Sequence, residues 1–357
     1  MDWQRIATIA EELRNAPGVP GLIVAARRGA EPVQVRAFGT DADGVALSAD
    51  TLLPVASITK LATTLAVLRC VATRALDLDA PLADVLPDAA AAQAGVTLRT
   101  LLSHTAGLPE DVPSGAAPYG PGLSWESIQP ALLHTPLDGA QRTRVRYSNV
   151  GIGLAALAVE RVYGERFHEA LRALVLEPLG IDAYLGTEPA RAPGRVMGLL
   201  GSFAGTPFEP YNTPWYRALG FPWGGLITNA TGALALVQAF APADDAFLPP
   251  AVRADATRDQ VGALAGGFTG WLEWDPCPWG LGAELHGNKA PHFAPAAASP
   301  ATFGHGGQSG TYAAWDPQAQ VGWALLGTRT MERWWRRMAD IGSAVLEHDT
   351  LSRALIR

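Results

Sequence analysis

The sequence predicts a fold of the α/β class, of the α+β type, with two lobes that share a cleft. Patterns typical of strands occur near both ends of the 357-residue chain, and helical patterns fill most of the stretch from about residue 75 to 260. A sheet begun at the N-terminus and completed near the C-terminus predicts an α/β lobe of residues 1–56 and 262–357. Residues 57–261 are then expected to form a mainly helical lobe with active-site loops. With 48% hydrophobic residues, the chain can bury a large core.

Each element is predicted from the spacing of its apolar residues. Trp3, Ile6, Ala10 and Leu13 fall at helical spacing between charged residues, which predicts an amphipathic surface helix that ends before Pro17. The strands, each a short apolar run, are predicted at Gly21–Ala26, Val33–Phe38, Trp279–Leu285, Thr311–Trp315 and Val321–Leu326. The remaining helices are predicted at Ser57–Val71, Leu98–Ser103, Trp125–Leu133, Gly151–Tyr163, Phe167–Leu176, Thr231–Ala241 and Arg333–Glu347. The helix that begins near Ser57 is apolar on almost every side and is therefore expected to be buried.

Composition argues against several classes of function. The formal net charge is −7 and no run of lysine or arginine occurs, so nucleic acid and anionic membrane surfaces are poor partners. Two cysteines, Cys70 and Cys277, cannot form a disulfide framework. No stretch of eighteen apolar residues predicts a membrane span, and residues 1–6 do not have the pattern of a signal peptide. We therefore expect a cytoplasmic protein, and no pattern predicts its oligomeric state.

Several familiar catalytic motifs are absent from the sequence. The segment Gly307–Thr311 matches the G-x-S-x-G turn of the α/β-hydrolases except for a threonine at its last position. His168 and Glu169 begin like a zinc-binding helix, but Arg172 stands where the second histidine is needed. Neither lysine follows a glycine as in a phosphate-binding loop, and the seven histidines are scattered, so no metal site is predicted.

Ser57 and Lys60 form the first candidate catalytic pair. Of the 27 basic residues only Lys60 and Lys289 are lysines, and a lysine suits a site that needs a neutral amine because arginine keeps its proton. The alternative is that both are ordinary surface lysines, and exchanging Lys289 for arginine is expected to change little. A spacing of three places Ser57 and Lys60 on one helix face, where apolar surroundings disfavour the charged amine. A neutral amine beside a hydroxyl is a base beside its nucleophile, although a capping serine and a chance lysine would give the same pattern.

Two further segments carry polar groups suited to the same reaction. Tyr147-Ser148-Asn149 precedes a predicted helix. A tyrosinate beside a cationic amine can take or return a proton, and Asn149 can donate and accept hydrogen bonds. The glycine-rich segment Phe303–Thr311 leads into a predicted strand, and its N–H groups can complete an oxyanion hole. Taken alone, the two segments are typical of an aromatic residue before a helix cap and of a hairpin turn.

Together and in this order, the three segments resemble the active-site motifs of the serine β-lactamase and penicillin-binding protein superfamily. The resemblance is to the branch that holds class C β-lactamases, D-alanyl-D-alanine carboxypeptidases and family VIII carboxylesterases, and it extends over most of the chain. Further landmarks of that branch are found at Thr51–Ala56, Leu76–Pro81, Leu101–Pro109, Glu177–Gly180 and Gly224–Leu226. The resemblance implies a β-lactamase/transpeptidase-like fold, with an antiparallel sheet flanked by helices and a mainly helical second lobe.

The resemblance also implies a role for each matched residue. Ser57 would be the acylated nucleophile, Lys60 its proton acceptor and Tyr147 the partner base. Asn149 would support the substrate and Lys60 through hydrogen bonds, and the backbone N–H groups of Ser57 and Gln308 would form the oxyanion hole. No metal or organic cofactor is implied.

His305 is the departure from the family pattern that bears most on the substrate. The residues His305-Gly306-Gly307 stand where many members have Lys-Thr-Gly, whose lysine helps to hold a substrate carboxylate. A histidine that is mostly neutral at pH 7 attracts a carboxylate less, which weakens the expectation of an anionic substrate but not that of catalysis. No Glu-x-x-Leu-Asn segment is present, so the deacylating glutamate of the class A enzymes has no counterpart.

These observations predict a serine hydrolase that forms an acyl-enzyme on Ser57 and acts on a small ester, amide or lactam. A carboxylesterase or amidase is the first expectation, and a β-lactamase or D-amino-acid peptidase is the alternative. A non-catalytic descendant that binds ligands or serves as a scaffold is an alternative of another class, and the retention of Ser57, Lys60 and Tyr147 counts against it. Five tryptophans are candidates for lining an apolar pocket or, alternatively, for core packing: Trp215, Trp223, Trp271, Trp274 and Trp279.

Overall fold

The computed structural model describes residues 1–113, 115–242 and 246–347. Within these ranges the strands are β1 (Gly21–Arg28), β2 (Gln34–Gly39), β3 (Leu53–Pro54), β4 (Val145–Arg146), β5 (Ala183–Tyr184), β6 (Ile227–Thr228), β7 (Gly266–Phe268), β8 (Leu272–Trp274), β9 (Glu284–Leu285), β10 (Phe303–Gly307), β11 (Thr311–Asp316) and β12 (Val321–Gly327). The α-helices are α1 (Trp3–Asn15), α2 (Thr59–Ala72), α3 (Ala90–Gln93), α4 (Leu98–Leu102), α5 (Trp125–His134), α6 (Asn149–Tyr163), α7 (Phe167–Leu171), α8 (Pro214–Ala218), α9 (Ala230–Gln238), α10 (Pro250–Thr257) and α11 (Met338–Leu346). Shorter 3₁₀ turns lie at Ala56–Ile58, Leu82–Asp84, Met331–Arg333 and Trp335–Arg337, and a π-helical turn lies at Arg172–Leu176.

Six strands form one antiparallel sheet in the order β2-β1-β12-β11-β10-β9. Strand β1 from the N-terminal part pairs with β12 from the C-terminal part, with Leu22 opposite Gly327 and Arg28 opposite Val321. The predicted class and the antiparallel sheet built from both ends of the chain are therefore confirmed. Two small sheets have the strand orders β3-β6-β5 and β4-β7-β8.

Both faces of the large sheet are buried. Because successive side chains of a strand point to opposite faces, Ile23 and Ala25 of β1 join one hydrophobic core, and Leu22, Val24 and Ala26 join the other. Helix α9 packs on the first face, whereas α1 and α11 pack together on the second. The sheet is therefore the shared wall between two cores.

Helix α2 is the buried helix that the sequence predicts. The 3₁₀ turn that contains Ser57 leads directly into it, and every residue from Thr59 to Leu68 is buried. Helix α6 and the π-helical turn pack against α2 and help to exclude water. Within the described ranges, no helix combines the length and apolar composition that crossing a bilayer requires.

The predicted strand Trp279–Leu285 and the last predicted helix are both shorter in the structure, and each has a local cause. The predicted strand Trp279–Leu285 is reduced to β9, because a turn with Gly282 at φ +68° interrupts it where the chain passes close to Thr64. The predicted helix Arg333–Glu347 becomes regular only at Met338. Trp334, at φ −139°, separates two 3₁₀ turns before that point, and its indole N–H donates to the carbonyl of Arg329 at 2.9 Å.

The glycine-rich segment Phe303–Thr311 contains a strand and a hairpin turn. Residues Phe303–Gly307 are strand β10, buried throughout and paired with β11, and residues 308–310 form the turn between the two strands. Glycines within a strand mark places where another segment comes unusually close, and here that segment is the turn that carries Ser57.

Candidate active site

Ser57 lies in the 3₁₀ turn at the N-terminal end of α2. The N–H of Val55 donates to the carbonyl of Leu226 at 3.0 Å, and Thr59 Oγ1 donates to the carbonyl of Ala56 at 2.6 Å and accepts from the Leu226 N–H at 3.0 Å. Ala56 has a φ of +45°, a left-handed conformation that is strained for a residue with a Cβ. This network holds Ser57 in a fixed and strained turn, a feature that clusters at functional sites.

Lys60 is the group closest to the Ser57 hydroxyl from the helix side. Its Nζ lies 3.1 Å from Ser57 Oγ and donates to the carbonyl of Trp223 at 2.8 Å. The same nitrogen lies 4.6 Å from the centroid of the Tyr147 ring. The amine is therefore held between the candidate nucleophile and the candidate partner base.

Burial changes the protonation of Lys60. The side chain is 0% exposed, and desolvation lowers the pKa of Lys60 from 10.5 to about 7, although the carboxylates of Asp111 and Glu110 oppose the shift. Near neutral pH a large fraction of the amine is uncharged. In that form it can accept a proton from Ser57 Oγ, as the sequence predicts.

Tyr147 is positioned by His104. The Arg146 N–H donates to the His104 carbonyl at 2.8 Å, the Ser148 N–H donates to His104 Nδ1 at 3.1 Å, and the His104 and Tyr147 ring centroids are 4.7 Å apart. Burial lowers the pKa of His104 well below 6.5, and the charge on Lys60 adds to this, which keeps Nδ1 free to accept. The backbone before α6 is thereby tied to a buried imidazole.

The hydroxyl of Tyr147 has no hydrogen-bond partner in the described part of the chain, and the residue is only 5% exposed. Burial raises the pKa of Tyr147 well above 10, and the neighbouring Ser57 hydroxyl opposes this only in part. The resting site therefore holds a neutral phenol rather than the tyrosinate considered from the sequence. Lys60 is the better resting base, and Tyr147 is suited to passing a proton on.

Strand β10 passes directly beside the Ser57 turn. A Cβ at Gly307 would overlap the carbonyl oxygen of Val55, and Thr311 Oγ1 donates to that oxygen at 3.0 Å. Only glycine permits this approach. The contact brings Gln308, the next residue, to the same cavity as Ser57, as an oxyanion hole from their two N–H groups requires.

His305 lies behind the cavity surface rather than on it. It is 0% exposed, its Nδ1 is 2.6 Å from the carbonyl oxygen of Gly306, and its ring centroid is 5.8 Å from that of Tyr147. Burial lowers the pKa of His305 to about 4, and the nearby Lys60 adds to this. The imidazole is therefore neutral at pH 7, in line with the expectation from the sequence, and it supplies no cation for a substrate carboxylate.

A cavity of about 330 Å³ opens at Ser57. The predicted site residues that line it are Ser57, Tyr147, Asn149, Gly306 and Gln308, whereas Lys60, His305 and Gly307 lie behind these. In the described ranges no group of three or more histidine, cysteine, aspartate or glutamate side chains is placed to hold a metal ion.

Asn149 lines the cavity but does not make the hydrogen bond to Lys60 that the resemblance implies. Its Nδ2 donates to Asp111 Oδ1 at 2.8 Å and its backbone N–H donates to the carbonyl of Glu110 at 2.6 Å, and no hydrogen bond joins it to Lys60. Its Oδ1 is buried and has no partner in the described ranges. The amide is therefore oriented by Asp111 and presents a free acceptor.

Several lining residues were missed by the sequence analysis. An apolar wall is formed by Phe268, Phe293 and Met331, and two carboxylates, Glu110 and Glu332, also line the cavity. The one available signal was that Glu110 directly follows a family landmark in the chain. The other residues come from segments far apart in sequence, so spacing could not reveal them.

Of the five candidate tryptophans, only Trp271 lines the cavity, where it is 48% exposed. Trp274 and Trp279 are buried in the core beside the sheet, and Trp279 packs edge-on against His104 at 5.1 Å. Trp215 and Trp223 pack against the helical core instead. Core packing therefore accounts for most of this tryptophan-rich stretch.

Lys289 is not the surface residue that the sequence suggested. Its Nζ donates to Glu284 Oε1 at 2.8 Å, and the two side chains are 0% and 1% exposed. The same Nζ lies 4.6 Å and 4.9 Å from the ring centroids of Trp274 and Trp279. His292 also approaches Glu284, and together with Lys289 it lowers the pKa of that carboxyl despite burial. An exchange of Lys289 for arginine is therefore not a silent control.

Comparison with known proteins finds a matching family model and relatives that include hydrolases. The Beta-lactamase family model matches residues 6–340 of the chain. Esterase EstB of Burkholderia gladioli is 30% identical over 298 residues, which cover 72% of this chain and 74% of that esterase. A β-lactamase from Mycobacterium bovis has 26% identity and a TM-score of 0.66, with 95% and 98% of the two chains covered. A D-amino acid amidase from Ochrobactrum anthropi SV3 has 21% identity and a TM-score of 0.76, with 98% of this chain and 99% of the amidase covered. At that identity the likeness shows a shared fold.

Proposed function

The chain belongs to the Beta-lactamase family and is a serine hydrolase, and we propose that it is a carboxylesterase or amidase that forms an acyl-enzyme on Ser57. The observation that carries the proposal is the pair of Ser57 and Lys60, with 3.1 Å between Oγ and a wholly buried Nζ. One of its relatives, at 30% identity, is an esterase, which supports the hydrolysis of esters.

Acylation begins with a proton transfer from Ser57 to Lys60. The neutral amine takes the proton of Ser57 Oγ while that oxygen attacks the substrate carbonyl carbon. Negative charge develops on the carbonyl oxygen, where the N–H groups of Ser57 and Gln308 stabilise it. As the bond to the leaving group breaks, the proton passes from Lys60 to the leaving oxygen or nitrogen by way of the hydroxyl of Tyr147, whose ring centroid lies 4.6 Å from Lys60 Nζ.

Deacylation uses the same groups in the reverse order. Once the leaving group has departed, a water molecule occupies its place, and the neutral Lys60 with Tyr147 removes its proton. The resulting hydroxide attacks the ester carbonyl, and Ser57 Oγ regains its proton when the acid is released. No additional residue is needed, in keeping with the absence of a class A type glutamate motif from the sequence.

The walls of the cavity favour an apolar group and offer no attraction for a substrate carboxylate. Phe268, Trp271 and Phe293 offer aromatic surface next to Ser57. The neutral His305 lies where many relatives keep a lysine for a substrate carboxylate, so that attraction is missing. These features support short esters or amides over anionic lactams.

Two alternatives remain to be tested against this proposal. A β-lactamase or D-amino-acid peptidase would use the same acylation chemistry, and the β-lactamase from Mycobacterium bovis is a relative at 26% identity. A non-catalytic ligand-binding or scaffold protein would have no need for a desolvated lysine at a serine, since burying an amine without a functional role costs stability. The pair of Ser57 and Lys60 argues against this last alternative.

The test is intact-mass analysis after exposure to p-nitrophenyl esters, β-lactams and D-amino-acid amides. The proposal expects one added acyl mass on the peptide that contains Ser57, turnover of the esters or amides, and loss of both in Ser57→Ala. Ser309→Ala is the control, because Ser309 is a buried serine that lies outside the cavity lining and whose hydroxyl has no partner in the described ranges. Hydrolysis that persists in Ser57→Ala, or labelling that disappears in Ser309→Ala alone, would reject Ser57 as the nucleophile.

A further inference from the structure

We propose that the cavity at Ser57 selects substrates that carry a protonated amine in addition to an apolar group. This inference rests on the hydrolase function proposed above and names the substrate class of the same site. It follows from three features of the cavity: the charges that line it, its unpartnered hydrogen-bond acceptors and its aromatic wall.

The charged side chains that line the cavity are both carboxylates. Glu110 and Glu332 line it, and no lysine or arginine of the described ranges does. Glu332 Oε1 accepts a hydrogen bond of 3.4 Å from the side chain of Gln308, so a negative charge stands beside the candidate oxyanion hole. A substrate carboxylate would be repelled there, whereas an ammonium group would be attracted.

The uncharged polar atoms of the cavity include acceptors that a hydrogen-bond donor on a ligand can satisfy. Because Asn149 Nδ2 is engaged by Asp111, its Oδ1 is left as a buried acceptor without a donor. The Tyr147 hydroxyl, on a side chain that is 95% buried, also has no partner in the described ranges. An unpartnered buried polar atom lowers stability unless a ligand satisfies it. An ammonium group has three donors and no acceptor, which matches these groups and the two carboxylates.

The aromatic wall is compatible with a cation and with an apolar group next to it. Phe268, Trp271 and Phe293 line the same cavity, and the faces of aromatic rings attract cations as well as apolar groups. The net charge of −7 adds a long-range attraction for cationic ligands. The structure thus points to an ester or amide that carries an ammonium group close to an aliphatic or aromatic group.

The test compares three ligands of similar shape but different charge. These are 2-phenylethylammonium, neutral 2-phenylethanol and anionic 3-phenylpropanoate, each measured as a competitive inhibitor of p-nitrophenyl butyrate hydrolysis at pH 7 in low salt. The inhibition constant of the ammonium ligand should be about tenfold lower than that of the alcohol, and the carboxylate should bind most weakly. Because Glu110 and Glu332 are exposed to solvent, the preference should shrink as salt is raised.

Variants of the two carboxylates locate the effect. Glu110→Gln and Glu332→Gln should each reduce the ratio between the alcohol and ammonium constants, and the double variant should bring it close to one. Glu165→Gln removes the same charge from an exposed position outside the cavity and should leave the ratio as it is. Because the two inhibition constants are compared within one variant, a change in the overall activity of that variant does not alter their ratio. A general loss of function would therefore not reduce the preference for the ammonium ligand.

The outcomes separate this inference from the proposed function. If the three ligands are also titrated calorimetrically, their charge preference is obtained without any turnover. Failure to hydrolyse p-nitrophenyl butyrate, with the ammonium preference intact, would overturn the esterase function alone. Equal affinity for the ammonium ligand and the alcohol, stronger binding of the carboxylate, or a ratio unchanged in the double variant would overturn the selection of amines.

Discussion

The amine of Lys60 lies 3.1 Å from the hydroxyl oxygen of Ser57, and it reaches that position from one turn further along a buried helix. Because the amine is fully desolvated, the pKa of Lys60 falls from 10.5 to about 7. In the unfolded chain the amine is hydrated again, and its pKa returns to the ordinary value. The pair therefore links catalysis and folding stability to the same proton.

The first prediction concerns the pH dependence of the reaction. The kcat/KM for p-nitrophenyl butyrate should rise with pH through about 7, as Lys60 in the free enzyme loses its proton. Lys60→Arg keeps a positive charge that cannot be removed, so its turnover should fall by a factor on the order of a hundred or more. A pH profile that is flat from 5 to 9, or a Lys60→Arg variant with normal turnover, would show that Lys60 is not the base.

The second prediction concerns the free energy of unfolding. Between pH 7 and 10.5 the unfolded chain holds a proton on Lys60 that the folded protein has lost, so the stability of the wild type should rise by about 1.4 kcal/mol per pH unit from this group. Below pH 7 both states are protonated and the penalty for the buried charge is constant. Denaturant unfolding of wild type and Lys60→Met at pH 6, 7.5 and 9 should therefore give a difference that grows in favour of the wild type with pH. Parallel curves would contradict the lowered pKa.

The third prediction separates the catalytic role of Tyr147 from its packing. Tyr147→Phe keeps the ring against His104 but removes a buried hydroxyl that has no partner in the described ranges. The melting temperature should therefore stay the same or rise slightly, while acylation measured by stopped flow should slow by about a hundredfold. If Tyr147→Phe lowers the melting temperature as well as the rate of acylation, Tyr147 is a structural residue and takes no part in proton transfer.

The fourth prediction concerns the buried pair of Lys289 and Glu284. Removing one partner leaves an uncompensated buried charge, so Lys289→Met should lower the free energy of unfolding by about 3–5 kcal/mol. The double variant Lys289→Met with Glu284→Gln should recover part of that loss. Chemical denaturation of the three proteins measures the effect, and labelling of Ser57 at low temperature checks that the site survives. A Lys289→Met variant as stable as the wild type would show that the pair contributes nothing.

Local parts of the fold and of the site could be predicted from the sequence. The contact between Ser57 and Lys60 follows from a spacing of three on one helix, and the burial of that helix follows from its apolar residues. The start of α6 after Tyr147 follows from Ser148, whose side chain caps the helix by accepting from the Gly151 N–H at 3.0 Å. These relationships depend on residues that are neighbours in the chain.

Other parts depend on contacts between distant segments, which spacing does not contain. Glu332 and Phe293 reach the cavity from separate parts of the chain, and Asn149 is turned by Asp111, which lies 38 residues away. Lys289 looked like a surface lysine although Glu284 lies only five residues before it, because spacing does not show that the two side chains are buried as a pair beside two tryptophans. The orientation and charge of the cavity therefore required the structure.

The last prediction is that short activated esters are hydrolysed much faster than β-lactams. The neutral His305 provides no cation for the carboxylate of a penicillin or a cephalosporin, and Glu110 and Glu332 would repel it. Both substrate classes pass through the same oxyanion, so deacylation also separates them, because an opened β-lactam obstructs the water that a small acyl group admits. We expect the kcat/KM for p-nitrophenyl butyrate to exceed that for nitrocefin by more than about tenfold, and penicillins to leave a long-lived adduct on Ser57 that mass analysis detects. Nitrocefin hydrolysis as fast as ester hydrolysis under the same conditions would identify the protein as a β-lactamase instead.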